Sequence, residues 1–329
     1  MNQTRLPFLP ISAGLLLSCL LIFNAGIVAA QSVPSSEENI PYLVTFGKES
    51  MTSWGDDDFC QTFFFIIPKE EKKPIFIRVF DPDTGGDFDE IKEKADTKTR
   101  YSIFGGKGAF TNHDAVLEQP VGQYKSGTLL STKIFDSNKD FNGKWYSFGP
   151  FNPTEGEYIE EHQGYVIKLI AEGISGNDGN LYKYFLSTDK DNNVKVEGAN
   201  MFTFEYTFRL QNEAGSVSHI YPFVNKDVVS IKIHTFDFDN DGMVRIVSVA
   251  KKFEIINVSG DDHWKESLHK ISDAEKNTSL DIQMIKRTAS KDNNVVFYIT
   301  NQYGNLLPFF TSPIGGAPKI GVNIGVRPK

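Results

Sequence analysis

Cysteine is nearly absent: among 329 residues only Cys19 and Cys60 carry a thiol. If Cys19 leaves with an export leader, no disulfide can form within the mature chain, so stability must come from packing, to which bound ions could add. In the run Phe59-Cys60-Gln61-Thr62-Phe63-Phe64-Phe65, Cys60 reads as a small buried hydrophobe. Positive charge is also short, with Lys+Arg 34 against Asp+Glu 42 and a formal net charge of -8. No basic stripe exists to neutralise phosphates, which excludes a nucleic-acid partner. The six histidines are His113, His162, His219, His234, His263 and His269, and no pair has HExxH spacing, so a zinc-hydrolase signature is missing. GxSxG, GxGxxG and a P-loop lysine are missing too. Beyond residue 30 no apolar run is long enough to cross a bilayer.

What is present begins with an export signal over residues 1–30. Arg5 gives a positive start, residues 11–23 form an apolar stretch, and Val28-Ala29-Ala30 has the small side chains of a cleavage site before Gln31. Two alternatives stay open: residues 11–30 retained as an anchor, or lipidation at Cys19 after Leu16-Leu17-Ser18. Cleavage predicts a secreted, periplasmic or cell-surface protein with no stable membrane insertion.

The full sequence is rich in Phe (27), Tyr (12) and Gly (27), a composition suited to sandwiches and barrels. Residues 31–39, polar with one Pro, are expected to form a disordered lead-in. From residue 40 onward, short β-branched and aromatic runs alternate with Gly/Asn/Asp/Pro turns, the pattern of antiparallel sheets. One segment departs from it. Residues 262–276 place Trp264, Leu268 and Ile271 at helical spacing, with Asp261 or Asp262 as cap and Glu266 four residues before Lys270, so a short amphipathic helix is predicted there. Residues 312–329, with several Pro and Gly, read as a tail or linker.

The strongest internal signal is a repeat. Residues 77–86, IRVFDPDTGG, align with residues 233–242, IHTFDFDNDG, matching at Ile77/Ile233, Phe80/Phe236, Asp81/Asp237, Asp83/Asp239 and Gly86/Gly242. This predicts two tandem modules, 40–196 and 197–311. A strand ending in FDxDxxG sets two carboxylates on one side of an extended chain, a cradle for a hard cation. Asp237, Asp239 and Asp241 before Gly242 match the first positions of a calcium loop, but Ser248 stands where an EF-hand needs its bidentate Glu. The calcium candidates are therefore Asp237, Asp239 and Asp241 in one loop and Asp81, Asp83 and Asp87 in the other, with Asp89 beside them. A third oxygen-rich turn carries Asp136, Asn138, Asp140 and Asn142 before Gly143. The alternative for all three is a set of solvated turns.

The run FFFIIP, a polar break, then PIFIRVF and an acidic Gly turn, over residues 62–90, resembles the secreted jelly-roll modules called prepeptidase C-terminal domains. More broadly the chain is similar to β-rich secreted and envelope proteins of Gram-negative bacteria. The resemblance implies a non-catalytic accessory, adhesive or scaffold role and carries over no site residue. The fold class expected is all-β: two tandem antiparallel β-sandwich, jelly-roll-like modules with one short amphipathic helix. The function expected is binding of a glycan or a cell-surface protein, with Trp54, Trp145 and Tyr146 beside acidic turns as candidate sugar-stacking residues. The rivals are a secreted hydrolase using paired carboxylates, for which Glu157, Glu160 and Glu161 are available, and a structural segment of an envelope assembly.

Overall fold

A computed structural model describes residues 31–51, 59–116, 121–291 and 293–318. The strands in chain order are β1 (Ser32–Val33), β2 (Tyr42–Phe46), β3 (Cys60–Pro68), β4 (Ile75–Phe80), β5 (Lys98–Gly105), β6 (Thr128–Phe135), β7 (Trp145–Phe151), β8 (Glu157–Ile159), β9 (Gly164–Ser175), β10 (Gly179–Ser187), β11 (Asn200–Thr203), β12 (Glu205–Arg209), β13 (Val217–Ile220), β14 (Phe223–Val224), β15 (Ser230–Phe236), β16 (Gly242–Val247), β17 (Glu254–Ile256), β18 (Trp264–Lys270), β19 (Thr278–Ser279), β20 (Asp281–Lys286), β21 (Asn294–Asn301) and β22 (Phe309–Phe310). All pairings between them are antiparallel among the described residues.

The wiring occurs twice. In the first half one layer is ordered β2-β10-β4-β7 and the other β3-β9-β5-β6; in the second half the layers are β12-β21-β15-β18 and β13-β20-β16-β17. Laying β2 on β12, β3 on β13, β4 on β15, β5 on β16, β6 on β17, β7 on β18, β9 on β20 and β10 on β21 keeps every neighbour relation. Two such four-stranded layers, crossed by the connections in this order, make an eight-stranded jelly roll. The sandwich follows from alternation: Ile75, Ile77 and Val79 of β4 and Ile231 and Ile233 of β15 enter the main core, while Phe76 and Lys232 face outward. Tyr101, Tyr182, Tyr184, Phe63 and Phe65 fill the first module, with Tyr101 edge-on to Tyr182 at 5.5 Å. Each such ring contributes about 1.5–3 kcal/mol by leaving water.

Hydrogen-bonded ladders cross the expected boundary between residues 196 and 197. Strand β12 pairs with β2, so one layer of each jelly roll joins the other in a nine-stranded sheet, and β11 pairs with β3 in the opposite layer. The modules repeat each other in topology, yet they share sheets.

Two local expectations are corrected. Residues 31–39 are not a disordered lead-in: β1 pairs with β10, and Gln31, Val33, Ser35 and Glu38 are buried. The polar groups that suggested disorder are bonded inside. The Gln31 side chain accepts from Val196 N at 2.6 Å and donates to Val196 O, while Glu38 accepts from Ser35 N at 2.6 Å and from the Tyr206 hydroxyl at 2.8 Å. Nor do residues 262–276 form an amphipathic helix. Strand β18 lies there, paired with β15 from Trp264↔Phe236 to Lys270↔Ser230, and among the described residues no helix reaches seven residues. On this edge strand the usual alternation is inverted: Ser267 and His269 point in and Leu268 is 64% exposed. Inward polar groups on an edge strand also discourage pairing with further chains. No described helix is long and apolar enough to cross a membrane. The leader expected over residues 1–30 lies outside the described residues, as does most of the expected tail, from residue 319 on.

Candidate metal centre

Both repeat strands end in the same backbone event. Directly after Phe80 and Phe236, Asp81 and Asp237 take left-handed conformations with φ of 55° and 56°. Aspartate is one of the few residues that tolerates this region, and the turn lifts the chain out of the ladder. Strand register extends the match to positions far apart in sequence. Phe80 pairs with Trp145 and Phe236 with Trp264; on the other side, Phe80 pairs with Lys183 and Phe236 with Val296. Two residues before each Trp stand Gly143 and Asp262, both at positive φ, and their amides donate to Asp81 Oδ1 at 2.9 Å and to Asp237 Oδ1 at 2.6 Å. Three residues before Lys183 and Val296 stand Asn180 and Asn293, both buried.

These asparagines rest on the loops. Asn180 Nδ2 donates to Pro82 O, between Asp81 and Asp83, at 2.9 Å; Asn293 Nδ2 donates to Asp239 Oδ2 at 2.8 Å. In both, Oδ1 is buried without a hydrogen-bond partner, and the same holds for Asp81 Oδ2, Asp83 Oδ1 and Thr84 Oγ1. A buried acceptor left unmatched costs about 1–3 kcal/mol, and more when it carries charge.

In the second loop, ligand atoms of Asp237, Asp239 and Asp261 lie within 4.8 Å of one another. Asp237 is buried, Asp239 and Asp261 exposed. Burial, followed by the charges of Asp239, Asp261 and Asp262, pushes the Asp237 carboxyl up to about 7 against the opposing Asp262 amide. The predicted third ligand is corrected: Asp241 faces the other way, accepting from Thr288 N at 2.9 Å with Lys286 Nζ 3.7 Å from its Oδ2. Gly242 is required for a different reason than ion binding, since a Cβ there would sit 1.9 Å from Ile285 O.

In the first loop Asp81 and Asp83 are buried and Asp87 is exposed on the rim. Asp83 Oδ2 accepts from Phe141 N at 2.9 Å, and Asn142 Oδ1 accepts from Asp87 N at 3.1 Å, so the third acidic turn folds against this loop as its other half. Asp89 adds a carboxylate that accepts from Gly85 N and Leu181 N, both at 2.8 Å. Burial raises Asp81 to about 7, with the like charges of Asp83 and Asp87 adding to it and the Gly143 amide opposing. Burial likewise drives Asp89 well above the ordinary carboxylate range.

Carboxylates that repel one another and keep a buried oxygen without a donor, as Asp81 and Asp83 do, can be neutralised by protons or by a cation. Carboxylate and amide oxygens, with no nitrogen or sulfur, suit calcium, which takes about six to eight oxygen ligands in flexible geometry. The pieces that sequence reading missed, Asp261, Asn180 and Asn293, had registered only as a helix cap and as turn residues. Their convergence depends on cross-strand register, which carries no local signature.

The aromatic candidates separate. Trp54 lies outside the described residues. Trp145 and Tyr146, being adjacent on β7, face opposite sides: Tyr146 packs inward on Phe135 at 5.1 Å, while Trp145 lies in an open groove with Ser147, Lys190 and Asp191, the Arg78 guanidinium 5.2 Å from its ring centre. Of the acidic residues considered for catalysis, Glu157 is committed to a loop. It accepts from the amides of Gly108, Phe110 and Thr111 and from the Thr111 hydroxyl at 2.6–3.0 Å, donors that together outweigh burial and hold its carboxyl below the usual range.

Fold and loops together define an all-β protein of two like jelly rolls, each carrying an acidic strand-end loop closed by an asparagine. No protein-family model matches the chain, and no curated protein matches it.

Proposed function

We propose that this chain is a non-catalytic, exported β-sandwich protein that binds a glycan or a surface partner and is stabilised by calcium at Asp237, Asp239 and Asp261. The observation that carries the calcium part is the grouping of three carboxylates within 4.8 Å beside the unpartnered amide oxygen of Asn293. Calcium offsets the repulsion and matches the open acceptors; a ligand that binds only the folded chain raises its stability by mass action. The binding role is supported by the open groove at Trp145, where an aromatic ring beside Lys190 and Asp191 offers stacking and hydrogen bonding of the kind sugars use. Export is supported by the pattern of residues 1–30, with Arg5, the apolar stretch over 11–23 and Val28-Ala29-Ala30 before Gln31.

Millimolar calcium should raise the melting temperature by several degrees over a chelator control, and Asp237→Ala with Asp239→Ala should remove most of that rise. An unchanged melt in calcium contradicts the stabilising role. A glycan and cell-surface binding screen on residues 31–329, in calcium and in chelator, tests the partner; Trp145→Ala should weaken binding about tenfold. Hydrolysis of the screened glycans would instead favour the hydrolase.

A further inference from the structure

We infer that the first module holds its own cation site, formed by Asp81, Asp83 and the amide oxygen of Asn180, so that the protein carries two ions on one duplicated plan. This deepens the calcium reading above and rests on it. The second loop is the one where three carboxylates visibly converge. The first has a different and more enclosed donor set, and it is recognised through register.

Four positions correspond between the loops by strand pairing alone: the left-handed aspartate after the terminal Phe, the aspartate two residues on, the positive-φ residue whose amide caps the first aspartate, and the asparagine at the start of the neighbouring strand. The site does not rest on acidity. Asn180 is fully buried, its Nδ2 is used by Pro82 O at 2.9 Å and Thr99 Oγ1 at 2.9 Å, and its Oδ1 has no partner. Thr84 Oγ1, Asp81 Oδ2 and Asp83 Oδ1 are buried and unpartnered in the same loop. Uncharged oxygens left open beside open carboxylate oxygens are what a metal needs and a proton does not: protonating Asp81 would satisfy one acceptor and leave the rest.

The two sites differ where the sequences do. Asn142 occupies the position of Asp261, so the third carboxylate of the second site has no counterpart there, and the half-buried Asp89 is the further acidic group nearby. The first site is sealed by the 136–143 turn, whereas the second exposes Asp239 and Asp261. The enclosed site should therefore exchange its ion more slowly.

Each loop has its own tryptophan across from the terminal Phe, with Phe80 5.4 Å from Trp145 and Phe236 5.1 Å from Trp264 between ring centres. That arrangement allows the sites to be read separately. The mature chain is stripped with chelator and titrated with terbium, following tryptophan-sensitised emission and counting bound metal after desalting. Two ions per chain are expected, with Trp145→Phe removing the emission of one and Trp264→Phe that of the other. Asp81→Asn with Asp83→Asn should reduce the count to one and spare the Trp264 signal. The tryptophan variants leave every ligand in place, so they report even if the aspartate variant folds poorly. One ion per chain, removed by Asp237→Asn with Asp239→Asn and insensitive to Trp145→Phe, overturns the first-module site while leaving the calcium reading intact. No bound ion at all overturns both.

Discussion

Glu38 shows how a single residue in a polar segment decides local structure. Its carboxyl is fully buried, receives the Ser35 amide and the Tyr206 hydroxyl, and is raised by burial to about 8. A carboxyl raised in the folded state holds its proton there after the unfolded chain has lost it, so its contribution to stability is complete below about pH 4.5 and is lost as pH rises to about 8. Asp81 and Asp237, raised to about 7, act in the same direction when no cation is bound. Chelated protein should lose stability across that window, each group contributing a slope of up to about 1.4 kcal/mol per pH unit. Glu38→Gln should flatten part of the slope, measured by urea unfolding at several pH values. A slope identical to that of the unchanged protein would show that Glu38 does not hold its proton.

At the level of elements, β18 is the test of how strands override local pattern. Leu268 would anchor a helix to the core, but as an edge-strand residue it faces water, so Leu268→Glu should change stability by less than about 0.5 kcal/mol. Ile233 on the paired strand is buried, and Ile233→Ala should cost about 2–5 kcal/mol. Equal losses at both positions would contradict the assignment. The same strand explains what could be read from sequence. The 77–86 and 233–242 segments were legible because apolar alternation, a terminal Phe and two aspartates are all local, and they delivered the all-β class, the duplication and four of the loop carboxylates. The 262–276 segment misled because its inner face is polar: His269 is held between Glu254 at 3.2 Å and Glu275 at 3.3 Å, and Ser267 accepts from Asn257 N. Glu254 lies on β17, Asn257 directly after it and Glu275 in the turn that follows β18, and only the folded strand brings them to one face. Asn180 and Asn293 were invisible as site residues for the same reason, each reaching its acidic loop from a segment encoded far along the chain.

In the whole molecule, the join between the jelly rolls is both a ladder and a polar lock. Glu90 of the first module pairs with Arg209 on β12 and accepts from Asn294 Nδ2 at 2.9 Å on β21, while Arg209 Nε donates to Asn294 Oδ1 at 2.7 Å. Removing the carboxylate takes the ion-pair partner from a buried guanidinium, a loss of about 3–5 kcal/mol. Glu90→Ala should therefore lower stability by that order and split a single calorimetric transition into two as the modules uncouple; a transition that stays single and unshifted would show that the lock contributes little. The duplicated wiring and the paired acidic loops support one proposal, that two like sandwiches each hold a cation at the end of the same strand. The most direct measurement is an anomalous difference map from crystals grown with terbium. The account predicts two peaks, one beside Asp81, Asp83 and Asn180 and one beside Asp237, Asp239 and Asp261. A map with no peak at either loop would contradict it.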